Sequence, residues 1–91
     1  MIVTARTYRA RVTVRLSPGV NDPQGNAVAE RLRGMGHADV RDVRVGRVID
    51  LVIDAQDDTT ARARIEELCR ALLANPVIET WDVEIEPEEG G

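Results

Sequence analysis

Hydrophobic and polar residues alternate cleanly from Tyr8 onwards. Tyr8, Ala10, Val12, Val14 and Leu16 fall on one side, and Arg9, Arg11, Thr13 and Arg15 on the other. A period of two marks a strand with one face in a core, and the outer face of this one is cationic. Ser17-Pro18-Gly19 breaks the run. Asp22 and Pro23 then read as a helix N-cap followed by proline at the first helical position, where its missing N–H costs nothing. Val28, Leu32 and Met35 make one helical face, and Gly36 fits the C-terminal cap. Gly34 inside this helix costs about 1 kcal/mol against alanine, which weakens its last turn.

Residues 40–45 and 48–54 predict two more strands joined at Gly46-Arg47, because glycine first in a two-residue connection is the type II′ hairpin signal. Ile49, Leu51 and Ile53 face one way, and Asp50, Val52 and Asp54 the other. Asp57, Asp58, Thr59 and Thr60 offer caps for a second helix and acids near its positive end. Ala61, Ile65, Leu68, Cys69, Leu72 and Leu73 follow the spacing of one buried helical face. Asn75-Pro76 stops that helix, since proline cannot continue it and pushes its predecessor out of the α region. Val77 and Ile78 come just after the stop, and either pack under the helix end or face a partner. Trp81, Val83 and Ile85 then alternate with Thr80, Asp82, Glu84 and Glu86 in a last strand.

The order is strand, helix, strand, strand, helix, strand. It predicts an α+β, βαββαβ ferredoxin-like fold, a four-stranded antiparallel sheet with two helices on one face. In that arrangement the first and last strands are neighbours. Arg9, Arg11 and Arg15 then lie beside Asp82, Glu84 and Glu86.

Composition refines the picture. The 91 residues form a single domain, with 1–7 and 87–91 expected to fray. Hydrophobic residues make up 43 %, but Tyr8 and Trp81 are the only aromatics, so the core is aliphatic. A domain this small buries roughly 60 to 65 % of its unfolded surface and gains from oligomerising. Residues 1–47 hold nine Arg against four acids (+5), and residues 48–91 hold three Arg against twelve acids (−9). The net charge of −4 argues against nucleic acid as a partner, and the asymmetry suggests halves that lie against each other. One cysteine rules out an internal disulfide and suits a reducing cytoplasm. No apolar run approaches the ~20 residues of a membrane span, and the first ten residues lack a signal-peptide apolar stretch. The expectation is a soluble cytoplasmic protein with no membrane partner.

No catalytic constellation assembles from these residues. Cys69 and His37 are the only nucleophile and base available. Cys69 sits on the apolar stripe of the second helix, as a structural thiol does, and His37 follows a helix-ending glycine, as a solvated loop residue does. One His and one Cys with scattered acids show no metal-ligand spacing, and a phosphate loop needs a lysine that the chain lacks. The loop from Leu16 to Gly25 reads as a tight helix entry or, at the helix N-terminus, as a ligand or partner surface. Arg44-Val45-Gly46-Arg47 reads as a solvated hairpin tip or an anion clamp.

Three motifs carry a family resemblance. They are Leu16-Ser17-Pro18-Gly19-Val20 with Asp22-Pro23-Gln24-Gly25; Val43-Arg44-Val45-Gly46-Arg47; and Cys69-Arg70-Ala71-Leu72-Leu73-Ala74-Asn75-Pro76-Val77-Ile78-Glu79. In this order and spacing the chain resembles PurS, the small subunit of phosphoribosylformylglycinamidine synthase. Arg47 stands where that family often has lysine. The resemblance implies a subunit that is no enzyme by itself, within an ATP-dependent, glutamine-using carbon–nitrogen ligase. It implies a bridge between a glutaminase subunit and a large synthetase subunit, assisting ammonia transfer to formylglycinamide ribonucleotide. It also implies a homodimer or homotetramer that binds no cofactor, with ATP and Mg used elsewhere in the complex. The expected partner contacts are Asp22, Pro23, Gln24 and Gly25; Arg44, Gly46 and Arg47; and Asn75, Pro76, Val77, Ile78 and Glu79. The same strand order also serves small regulatory domains that bind an amino acid between subunits, which is the alternative function.

Overall fold

A computed structural model describes residues 5–88. Three strands form one antiparallel sheet in the order β2-β1-β3: β1 (Arg6–Leu16), β2 (Arg47–Ala55) and β3 (Glu79–Pro87). The first and last strands are neighbours, as expected of the strand order. Arg9 stands opposite Glu86 and Arg11 opposite Glu84, while Thr13 faces Asp82 and Arg15 faces Thr80. Arg15 closes a diagonal ion pair to Asp82 at 3.0 Å, and Arg11 turns to the other neighbour, meeting Asp50 on β2 at 2.8 Å. These pairs are exposed and set register more than stability.

Alternation along β1 sends Tyr8, Ala10, Val12 and Val14 inward, all buried. Helix α2 (Asp58–Leu68) lies over that face and contributes Ala61 and Ile65, with Cys69 just beyond its end. Ile49, Leu51 and Ile53 from β2, and Trp81, Val83 and Ile85 from β3, close the sides of the core. Asp57 caps α2, its side chain accepting the Thr60 N–H at 2.7 Å.

Four expectations from the pattern need correction. Residues 40–45 pair with no strand, so the sheet has three strands and no hairpin at Gly46-Arg47. The outer edge of β2 stays unpaired, but residues 40–45 do not turn back onto it; they run beside α1 instead, where the Val45 N–H meets Asp22 and the Val43 carbonyl comes up against Gly25. Gly46 serves a different need: a Cβ there would lie 2.4 Å from the Val14 carbonyl oxygen, so only glycine lets the chain pass that close to β1.

Next, α1 (Pro23–Gly34) does not join α2 on the sheet. Helix α2 packs on all three strands, whereas α1 packs against neither the strands nor α2 to any comparable extent. It stands outside with the return segment 36–46 as an arm, and the molecule measures 64 × 32 × 15 Å. Its radius of gyration of 17.8 Å compares with about 12 Å for a compact chain of this length. The helix itself is well terminated. Gly36, at φ +99°, donates to the Arg33 carbonyl and His37 donates to the Leu32 carbonyl, the paired bonds of a Schellman turn.

Third, Leu72 is not on the buried face. Beyond Leu68 the helix widens into a π-helical turn, Cys69–Leu73, and the change of phase leaves Leu73 half-buried while Leu72 is 84 % exposed. Last, strand pairing runs further into both ends than the pattern placed it, since Arg6 stands opposite Ala55 and Pro87 opposite Tyr8. The rest of the fraying expectation falls on residues 1–4 and 89–91, outside the described residues.

Candidate assembly site at one end of the sheet

The three segments that carry the family motifs meet at one end of the sheet, where β1 finishes, β2 begins and β3 begins. In the register, Arg47 stands opposite Val14 and Glu79 opposite Leu16, so these two side chains flank the last residues of β1. They close a two-pronged ion pair: Arg47 Nη1 lies 2.7 Å from Glu79 Oε2, and Nη2 lies 3.0 Å from Oε1. Arg47 Nη2 also donates to the Leu73 carbonyl at 2.7 Å, and Glu79 Oε1 accepts the Asn75 N–H at 2.7 Å. One ion pair therefore holds the end of the π turn, the start of the following turn and the first residue of β3. The Arg47 guanidinium and the Asn75 N–H hold the Glu79 carboxyl below its ordinary pKa, and Glu79 raises that of Arg47.

Turn 74–78 is fixed from within. Asn75 Oδ1 accepts the Val77 N–H at 3.0 Å, and the Asn75 carbonyl accepts from the Ile78 and Glu79 N–H groups. Ser17 N–H donates to the Ile78 carbonyl at 2.8 Å, tying the turn to the end of β1. Every N–H of the turn is thereby bonded within the chain, and the aliphatic side chains are turned out: Val77 is 85 % exposed and Ile78 is also exposed. Beside them Arg70 lies over the Trp81 ring, 5.8 Å from its centroid, and Trp81 Nε1 donates to Glu66 at 3.0 Å. Val77 thus stands clear of the helix end, while Ile78, 39 % exposed, is partly covered.

The arm begins at the same end. Asp22 is 4 % exposed. Its Oδ1 accepts the Gly25 N–H at 2.8 Å and caps α1, and its Oδ2 accepts the Val45 N–H, also at 2.8 Å. Those two N–H groups, with Arg44 nearby, hold the Asp22 carboxyl below its ordinary pKa. Arg44 reaches three carbonyl oxygens, those of Leu16 (3.3 Å), Ser17 (3.2 Å) and Val20 (3.3 Å). Gly25 is buried against the return segment, where a Cβ would lie 2.2 Å from the Val43 carbonyl oxygen. Pro23, Gln24, Gly46, Asn75 and Pro76 are exposed. The two candidate reactive groups sit elsewhere: Cys69 is buried, with desolvation raising its thiol pKa, and His37 is exposed at the tip of the arm. Among the described residues no group of three His, Cys, Asp or Glu side chains could hold a metal ion.

Sequence reasoning found the three segments and missed two things about them. It did not show that Asp22, Arg44, Arg47 and Glu79 spend their polar atoms within the chain, Arg47 and Glu79 on each other and all four on the backbone of neighbouring segments, and it placed Leu72 inside. A three-stranded antiparallel sheet under one helix, with a second helix carried outside on a short arm, is an α+β fold of the PurS type. The PurS family model, described as phosphoribosylformylglycinamidine (FGAM) synthase, matches residues 9–87. The PurS subunit of phosphoribosylformylglycinamidine synthase from Synechocystis is 41 % identical over 86 residues, 94 % of this chain and 86 % of that one. The crystal structure of Methanocaldococcus jannaschii PurS, 32 % identical, superposes with a TM-score of 0.81 over 90 % of this chain and 99 % of that one. A chain of the Thermotoga maritima PurLQS structure, 28 % identical, gives 0.80 over 88 % and 98 %. The chain belongs to the PurS family, and is the PurS subunit of phosphoribosylformylglycinamidine synthase, a glutamine-dependent ligase of purine biosynthesis.

Proposed function

We propose that this subunit is a non-catalytic bridge that holds the glutaminase and synthetase subunits in register while ammonia passes between them. The observation that carries the reading is the end of the sheet. Three segments far apart in sequence are welded there into one support, and Leu72 and Val77, which that support presents with the partly covered Ile78, stand open among the described residues. Exposed aliphatic side chains on a turn whose backbone is already hydrogen-bonded in place suit a protein contact, because little backbone ordering is left for a partner to bring about. The PurLQS assembly of Thermotoga maritima contains a chain with this fold, and we extend the partnership with a glutaminase and a synthetase to the present chain.

The arm suits a different neighbour. Val28 and Met35 on α1 are exposed in the single chain, and a second copy in a homodimer or homotetramer is the cover we assign to them. In this account the synthetase uses ATP and Mg to place ammonia on formylglycinamide ribonucleotide, the bridge binds no cofactor, and the assembly works in the cytoplasm. Holding two active sites in register keeps a small neutral molecule from being lost or protonated in bulk water. The test is co-sedimentation of the purified glutaminase and synthetase subunits with and without this chain. Bridging requires a ternary species that forms only when the chain is present. Equal association of the two enzymes in its absence would sink the reading.

A further inference from the structure

We propose that Asp22 and Arg44 form a clasp that fixes the direction of the arm, so that both act on assembly as positioning residues and not as contacts. This rests on the bridging reading above for its functional half. The geometry is local to the chain. The arm is α1 and the return segment, and it leaves the sheet at Leu16 and rejoins it at Arg47. Helix α1 has no face packed on the strands or on α2 that could hold it at a fixed angle. What ties the two ends of the arm together is a carboxylate and a guanidinium.

Asp22 stands where the outgoing chain enters α1, and it binds the N–H of Val45, where the return segment comes back. Arg44, adjacent in sequence, reaches the other way to the carbonyls of Leu16, Ser17 and Val20 on the outgoing chain. The two links cross between the same pair of segments in opposite senses, a side chain on each side meeting backbone on the other. Gly25 lets α1 sit against the return segment at Val43 without a Cβ in the way, and further out Arg33 donates to the Val40 carbonyl at 3.1 Å. With the clasp closed, the arm is held at one angle. With it open, the junctions near Gly19, at φ +87°, and Gly46 are free to swing. Both Asp22 carboxylate oxygens are bonded within the chain and the side chain is buried, so it offers little to a partner.

The test uses two substitutions in the full chain. Asp22→Asn keeps one oxygen to cap Gly25 but offers an amide N–H to the N–H of Val45, so it opens the clasp while sparing the helix cap. Arg44→Lys keeps the charge but cannot fork onto three carbonyls. Each variant is first measured alone, by hydrogen exchange of the backbone in 39–46 and in β1, and by circular dichroism. It is then titrated into the glutaminase and synthetase subunits. The clasp predicts at least tenfold faster exchange in 39–46 with β1 and helix content unchanged, and at least tenfold weaker assembly. Weaker assembly with unchanged exchange would mean that these side chains touch a partner, and it overturns the clasp. Faster exchange with unchanged assembly overturns the positioning role. A wild-type chain that associates with neither subunit would sink the bridging reading instead, while the exchange result still judges the clasp. If Asp22→Asn lowers helix content, Arg44→Lys opens the clasp from the other side and leaves the cap untouched.

Discussion

Replacing Leu72 and Val77 together by serine separates folding from assembly. Both side chains are more than four-fifths exposed in the single chain, so the free subunit has almost no burial to lose. Substitutions at such positions change stability by about 0.5 kcal/mol or less. In an assembled complex the same two side chains would be covered, and fully burying one aliphatic side chain is worth about 1.5–3 kcal/mol. The pair therefore carries roughly 3–6 kcal/mol, which at 1.4 kcal/mol per tenfold is two to four powers of ten in Kd. Contact energies of neighbouring residues are not additive, so the lower half of that range is the firmer expectation. The assay has two arms: thermal unfolding of the free variant, and titration against the synthetase and glutaminase subunits. The expected outcome is an unchanged melting midpoint with assembly weakened by at least a hundredfold. A wild-type Kd would show that the turn faces solvent in the complex. A midpoint several degrees lower would show that the two side chains support the fold itself.

Three further outcomes follow from the same geometry. Ile65, fully buried under the sheet, is the centre of the core, and Ile65→Ala should cost about 2–5 kcal/mol. That is a large share of the roughly 5–14 kcal/mol a chain of this length has, and denaturant unfolding reads it directly. Gly25→Ala puts a methyl group against the Val43 carbonyl; exchange protection of 39–46 should fall while the β1 amides stay protected, and equal loss in both would count against it. Asp22, Asp57 and Glu79 all have pKa values held below their ordinary ones by hydrogen bonds present only in the fold. For a depressed carboxylate the stabilisation is full above the unfolded pKa, about 4, and is lost as pH falls through the lower folded value. Urea midpoints should therefore be flat above about pH 5 and drop below 4, and a midpoint that rises on acidification contradicts the assignment.

Local rules carried much of the fold into view from sequence. The alternation of β1 and β3, the proline after Asp22, the acid before α2 and the glycine that closes α1 each act within a few residues, and each stands where its pattern puts it. The failures are all non-local. Residues 40–45 have the composition of a strand and the open edge of β2 beside them, but they are held by the outgoing chain some twenty residues earlier, through Asp22 on the Val45 N–H and Gly25 against Val43. The apolar stripe of α2 continues through Leu72 in any α-helical count, and only the π turn, held by Arg47 on the Leu73 carbonyl, moves Leu72 outside. Such a break between local pattern and observed placement is expected where a surface has a use beyond folding. The candidate site was legible as three motifs. Its wiring was not, because Asp22 to Val45 and Arg47 to Glu79 join residues 23 and 32 positions apart.

The most direct test of the bridging account is turnover. The synthetase and glutaminase subunits are assayed for formylglycinamidine ribonucleotide synthesis from glutamine, with and without this chain, beside synthesis by the synthetase from free ammonia. The account predicts glutamine-driven synthesis that appears only with the chain present, and an ammonia-driven rate that barely changes. Glutamine-driven turnover at the same rate in its absence would contradict it.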